Sequence, residues 1–160
     1  MQDELLKFRY AVEEDTALIL RFIKLLASYE NMEDEVIATE KLLQEWIFKK
    51  NKSNVIFAMI SDIEIGFALF SYNFSTFLGK SGIYLEDLFI LPEYRRKGYG
   101  KAFMRHLAQI AIEQGYGRLE WCCLNWNIDS INFYLSLDAK VLNDRTSYQI
   151  TGESLKKLAN

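Results

Sequence analysis

Histidine, proline and cysteine are scarce in this chain of 160 residues: His106 and Pro92 stand alone, and the two cysteines, Cys122 and Cys123, are adjacent. A protein zinc site draws on histidine and cysteine, and neither CxxC nor HExxH occurs, so the sequence calls for no metal. The cysteines fall in strand-like sequence, where successive side chains point to opposite faces, and are expected as free thiols. No apolar run approaches the roughly 18 residues of a membrane-spanning helix. The first residues, Met1-Gln2-Asp3-Glu4, are acidic where a signal peptide is basic. A cytoplasmic protein without a membrane partner is therefore expected. Positive charge is not in excess either, with 19 Lys and Arg against 22 Asp and Glu. The resulting net charge of −3 argues against nucleic acid as the main partner and suits a cationic one.

Half of the residues are apolar and 14% are aromatic, which excludes a disordered composition. No linker, repeat or change of composition interrupts the chain, so residues 1–160 are expected to form one domain with a substantial core. Phe8 to Val12 predicts a short strand. A helix follows, reaching Tyr29, with Leu18, Phe22, Leu25, Leu26 and Tyr29 on one apolar stripe. After the acidic loop from Glu30 to Glu35, a second helix opens at Thr39, with Leu42, Leu43, Trp46 and Ile47 on its buried side. Val55 to Ile60 and Ile65 to Tyr72 predict a hairpin. Gly82 to Leu91 is a further strand carrying Glu86-Asp87, and Tyr99, Phe103, Leu107, Ile110 and Ala111 mark a helix that ends near Gly115. Arg118 to Leu124 is a strand, a short helix holds Phe133 and Tyr134, and Lys140 to Leu142 and Ser147 to Ile150 are candidate last strands before a C-terminal helix from Ser154. Irregular alternation of this kind is α+β rather than doubly wound.

The chain is organised around Pro92 to Lys101, which joins the strand bearing Glu86-Asp87 to the central helix. Glycines at 98 and 100 let a backbone approach an anion, and the N–H groups and positive dipole end of a new helix favour negative charge. A solvated cationic turn whose glycines cap a helix fits the local sequence equally. The spacing matches neither a Walker loop nor a dinucleotide fingerprint, since no earlier glycine stands at the required distance from Gly100-Lys101 and Phe103 stands where a third glycine belongs.

Arg95-x-x-Gly98-x-Gly100 after an apolar strand resembles the pyrophosphate loop of the GNAT acyltransferases. Asn127 to Tyr134 resembles their second signature, an Asn seven residues before a Tyr on a short helix. Tyr84-Leu85-Glu86-Asp87-Leu88-Phe89, Asn125-Trp126-Asn127 with Ser130 to Tyr134, Tyr29-Glu30-x-Met32-Glu33 and Thr39-Glu40-Lys41 are similar to the diamine (spermidine/spermine) acetyltransferases and their thialysine-acetylating relatives. The resemblance covers Phe8 to Ala159. It implies a GNAT fold, with a mixed, strongly twisted and splayed sheet flanked by helices, acetyl-CoA as co-substrate, and a homodimer.

It also implies roles. Arg95, Arg96 and Lys97 would meet the CoA phosphates, while Gly98, Tyr99, Gly100 and Lys101 cradle them. Leu88 and Ile90 would line the cofactor, with N–H groups near Leu88 facing the oxyanion. Asn127 would contact the pantetheine arm or cap its helix. Glu86 is the candidate base, directly or through water, because an aliphatic amine of pKa roughly 10 is almost fully protonated at neutral pH; a structural carboxylate is the other reading. Tyr134 is the candidate acid at the departing sulfur. Glu30, Glu33, Glu86 and Asp87 would hold the acceptor, although a regular strand sends Asp87 to the face opposite Glu86, so a bulge is needed for both to serve one pocket. Two departures alter the acceptor side: Ser75-Thr76-Phe77-Leu78 replaces the family's Asp-Pro-Trp segment, and Ser28 replaces a lysine. The implied activity is acetyl transfer to a small cationic polyamine or diamine, with thialysine or another lysine-like amine as the alternative and a non-catalytic acyl-CoA-binding regulatory domain as the rival of another class.

Overall fold

The computed structural model describes residues 5–160; the acidic start, residues 1–4, lies outside the described residues. The chain divides between Cys122 and Cys123 into two compact units.

The first unit is built on a five-stranded sheet in the order β1-β2-β3-β4-β5: Lys7–Tyr10, Asn54–Ile60, Ile63–Ser75, Lys80–Ile90 and Leu119–Trp121. Neighbours are antiparallel up to β4, and β5 joins β4 in parallel. A parallel neighbour requires a crossover, which α3, Tyr99–Glu113, supplies. The β2–β3 turn rests on Ser61 and Asp62, at φ 47° and 63°, between paired Ile60 and Ile63. Two positive-φ residues match the right-handed twist of a hairpin, and a short polar pair tolerates them. Gly115, at φ 73°, ends α3 as its position predicts.

Sheet alternation separates two buried faces. On one, α1 (Thr16–Tyr29) and α2 (Glu40–Leu43, continuing as a π-helical turn, Gln44–Lys49) lay Ile19, Phe22 and Ile47 over Val55, Phe57, Phe67 and Phe89. Burying each such side chain contributes about 1.5–3 kcal/mol, so this layer holds α1 on the sheet. The wider π turn rotates the stripe expected on α2: Ile47 is buried, whereas Leu42 and Trp46 are exposed. On the opposite face Phe8, paired with Ala58, packs on Phe103 of α3 at 4.9 Å and stacks on His106 at 4.4 Å. His106 is thus a packing residue, and burial lowers its pKa.

The second unit holds α4, Ile128–Leu135, and α5, Gly152–Ala159. Asp138 takes the left-handed conformation after α4, at φ 61°. The strands expected at 140–142 and 147–150 are not formed among the described residues. Val141 is 62% and Tyr148 94% exposed, so their apolar side chains cover no face, and an extended segment without a paired neighbour has no ladder to stabilise it. The cysteines follow the end of β5 rather than lying within it, and neither is in a disulfide.

Candidate active site

The site grows from an irregularity in β4. Leu69 pairs with Asp87 but the next β3 residue, Phe70, pairs with Leu85, leaving Glu86 as the extra residue of a bulge. A bulge sets two residues against one and breaks alternation, so Glu86 and Asp87 need not point to opposite faces. This is the irregularity that the sequence required for both carboxylates to share a pocket. Asp87 is half-buried and its carboxyl is pushed up to about 7, by burial first and then by the negative charges of Glu86 and Glu30. Glu30 is the residue after α1, its N–H bonded back to Leu26 O, and burial raises its own pKa. Of the carboxylates expected at the acceptor, Glu30 and Glu86 thus lie near enough for their charges to raise the Asp87 pKa. Glu33 is exposed, and hydrogen bonds from its own backbone N–H and from the Ser28 hydroxyl lower its pKa.

Beside this trio lies a group that motif reasoning missed. Tyr84 pairs with Glu120 across β4 and β5, and its hydroxyl lies 3.1 Å from Cys122 Sγ. The Tyr84 pKa is pushed up to about 12 by that contact, by burial, and by the charges of Cys122, Glu86 and Glu120. Tyr84 and Glu86 are two apart on β4, and the charge of Glu86 reaches the Tyr84 hydroxyl.

Next to the carboxylates the sheet opens. β4 and β5 are paired only at Ile83–Leu119, Tyr84–Glu120 and Leu85–Trp121, after which β5 stops and β4 runs on to Ile90. Leu91 N–H donates to Ile65 O on β3, so by antiparallel alternation Phe89 and Asp87 also face β3 with their backbone groups. The groups of Leu88 and Ile90 consequently face the open edge, where an extended ligand arm or an oxyanion finds donors and acceptors.

Past this edge the chain enters α3 through two left-handed residues, Arg96 at φ 60° and Gly98 at φ 83°. Ala102 N–H makes the first bond of the helix, to Gly98 O, and no side chain caps the start. The N–H groups of Tyr99, Gly100 and Lys101 therefore lack helical partners, and they lie at the positive end of a 15-residue helix. A Cβ added at Gly98 would meet nothing within 4 Å, so the space in front of the loop is open. Open space, orphan donors and the exposed cations Arg96 and Lys97 fit a pyrophosphate. The three cations are not disposed alike, however. Arg95 turns inward: its Nε donates to Ile90 O at 2.8 Å, and its guanidinium lies 4.7 Å from the Tyr29 ring centre and 5.0 Å from that of Phe89.

In the second unit Asn127 is buried and caps α4, its Oδ1 accepting the Ser130 N–H at 3.2 Å. The capping role considered for it is thus present. Tyr134 lies half-buried on α4, its ring 5.2 Å from that of Phe133.

Comparison with known proteins agrees with this geometry. Residues 19–138 match the acetyltransferase (GNAT) family. The chain is 30% identical to the thialysine N-epsilon-acetyltransferase of Sus scrofa, over 94% of this chain and 95% of that one. It is 39% identical to the L-ornithine N5-acetyltransferase of Arabidopsis thaliana over 62% of its length, spanning 44% of that longer relative. Among solved structures, an integron cassette protein from the mobile metagenome of V. cholerae superposes with a TM-score of 0.79 at 29% identity, covering 96% of this chain and 97% of the other. With a family match over most of its length and a mixed sheet that opens beside an uncapped helix, the chain belongs to the GNAT acetyltransferases, an acyltransferase class.

Proposed function

We propose that the chain transfers acetyl from acetyl-CoA to the primary amine of a small cationic acceptor, by direct attack in a ternary complex. One observation carries this reading: the β4 bulge sets Glu86 and Asp87 side by side next to the stretch of β4 that β5 leaves unpaired, and the charges of Glu86 and Glu30 both act on the Asp87 carboxyl. An amine of pKa roughly 10 is neutral in only about one molecule in a thousand at pH 7, so the site must attract the cation and then accept its proton. Carboxylates do the first. For the second, the bulged pair Glu86 and Asp87 is the proton acceptor, directly or through water, and Asp87, held near 7, is the member suited to exchange protons at neutral pH.

The cofactor supplies the thioester carbonyl. Around it, the N–H groups from Tyr99 to Lys101 and the side chains of Arg96 and Lys97 hold the phosphates, the backbone of Leu88 and Ile90 holds the arm, and the Leu88 N–H donates to the charge developing on the carbonyl oxygen. Tyr134 donates a proton to the departing sulfur, a role that rests on its spacing from Asn127. The two units together make one catalytic domain in this reading, because the family match crosses their boundary. A homodimer is the assembly that the resemblance implies.

The relatives named above act on thialysine and ornithine, amino acids with a side-chain amine. They weigh towards a lysine-like acceptor; the three carboxylates also suit a polyamine or diamine. A CoA-release assay over thialysine, ornithine, lysine, putrescine, spermidine and spermine separates the two. Turnover of at least one of them is expected. Acetyl-CoA binding without turnover of any would instead favour a regulatory acyl-CoA-binding domain.

A further inference from the structure

Arg95 stands first in the loop motif, yet its side chain is half-buried and bonded to Ile90 O, whereas the cations that follow it are exposed. It makes three contacts, each with a different part of the site. Its Nε holds the carbonyl of Ile90, a group left on the open edge of β4 where β5 no longer runs. One contact of its planar cation is with Phe89, in the buried layer under α1. The other is with Tyr29, the last residue of α1 and the immediate neighbour of Glu30. Arginine suits this place, since its planar cation packs on aromatic rings while the N–H groups at its rim donate. The backbone of Arg95 itself leads into the left-handed pair Arg96 and Gly98.

From these contacts we propose that Arg95 is a positioning residue rather than a phosphate ligand: it bolts the cofactor loop to the end of α1, so that ordering the loop also sets the acceptor carboxylate Glu30. This rests on the proposed acetyl-CoA site. Its consequence is positive coupling, in which a ligand that orders the loop reduces the cost of ordering Tyr29 and Glu30.

Two measurements test this without relying on turnover. In the first, acetyl-CoA binding is titrated at several salt concentrations for wild type, Arg95→Gln, Arg96→Gln and Lys97→Gln. A side chain that neutralises phosphate contributes to the salt dependence of affinity. The slope should fall in Arg96→Gln and Lys97→Gln and stay at the wild-type value in Arg95→Gln. In the second, amide hydrogen exchange of residues 26–33 is followed with and without saturating acetyl-CoA. Exchange there should slow severalfold on binding in wild type, and this slowing should be lost in Arg95→Gln and in Tyr29→Leu, which removes the ring and leaves the loop sequence intact. If Arg95→Gln fails to fold, Tyr29→Leu carries the test alone. A reduced salt slope in Arg95→Gln, or undiminished protection of residues 26–33 in a folded variant, overturns the proposal. A wild-type protein that does not bind acetyl-CoA at all refutes the proposed function instead.

Discussion

Asp87→Asn should stabilise the protein while it disables the site. In the folded state burial and the charges of Glu86 and Glu30 raise the Asp87 carboxyl from 3.8 to about 7. The native state therefore binds more protons than the unfolded chain between those values, and the slope of unfolding free energy against pH is negative there. Below pH 4 both states are protonated and Asp87 costs nothing. Above pH 7 both are ionised and the whole cost is present. A shift of about 3 units at 1.36 kcal/mol each sets a ceiling of about 4 kcal/mol, which relaxation and water entry reduce to about 2. For a chain of this size about 2 kcal/mol corresponds to roughly 4–8 °C in Tm. Thermal unfolding of wild type and Asp87→Asn at pH 5 and pH 8 reads this directly. The variant should gain most at pH 8 and roughly a third as much at pH 5, with acetyl transfer reduced about 10²-fold or more. Equal Tm values at pH 8, or a gap that does not change with pH, would refute the reasoning.

The same electrostatics predicts that Glu30→Gln moves the acidic limb of the pH–rate profile to lower pH, because removing a neighbouring negative charge lowers the Asp87 pKa; an unmoved limb in a steady-state pH series counts against the contact. Gly98→Ala has room for its methyl group but forces a non-glycine residue to φ 83°, at a cost of about 1–2 kcal/mol. Its melting temperature and its acetyl-CoA affinity by calorimetry should both fall. Tyr134→Phe should lower turnover more than acetyl-CoA affinity, since its proton is needed at leaving-group departure, and unchanged turnover would remove it from the mechanism.

The residues around the loop were legible because their patterns are local. Apolar spacing in α1 and α3, the glycines that enter and leave α3, and the polar hairpin pair each act within a few residues. What could not be read depends on pairing between distant segments. The bulge at Glu86 exists only against the register of Leu69 and Phe70 on β3, and the contact of Tyr84 with Cys122 only once β5 lies parallel to β4. The place of Arg95 in a motif points to phosphate, while its aromatic partners, which come from α1 and β4, leave no mark in the local sequence. The strands expected at 140–142 and 147–150 failed for the converse reason: local propensity for extended structure was present, and no neighbouring strand among the described residues pairs with it.

The most direct test of the central claim, that the carboxylates at the β4 bulge take up the proton of the acceptor amine, is kcat/KM against pH from 5.5 to 9.5 for wild type, Glu86→Gln and Asp87→Asn with the best acceptor. Wild type should rise through an apparent pKa near 7. Asp87→Asn should lose that limb and recover activity only as the amine itself deprotonates at higher pH, with Glu86→Gln shifting the limb downward. Wild-type activity and an unchanged limb in both variants would contradict the account.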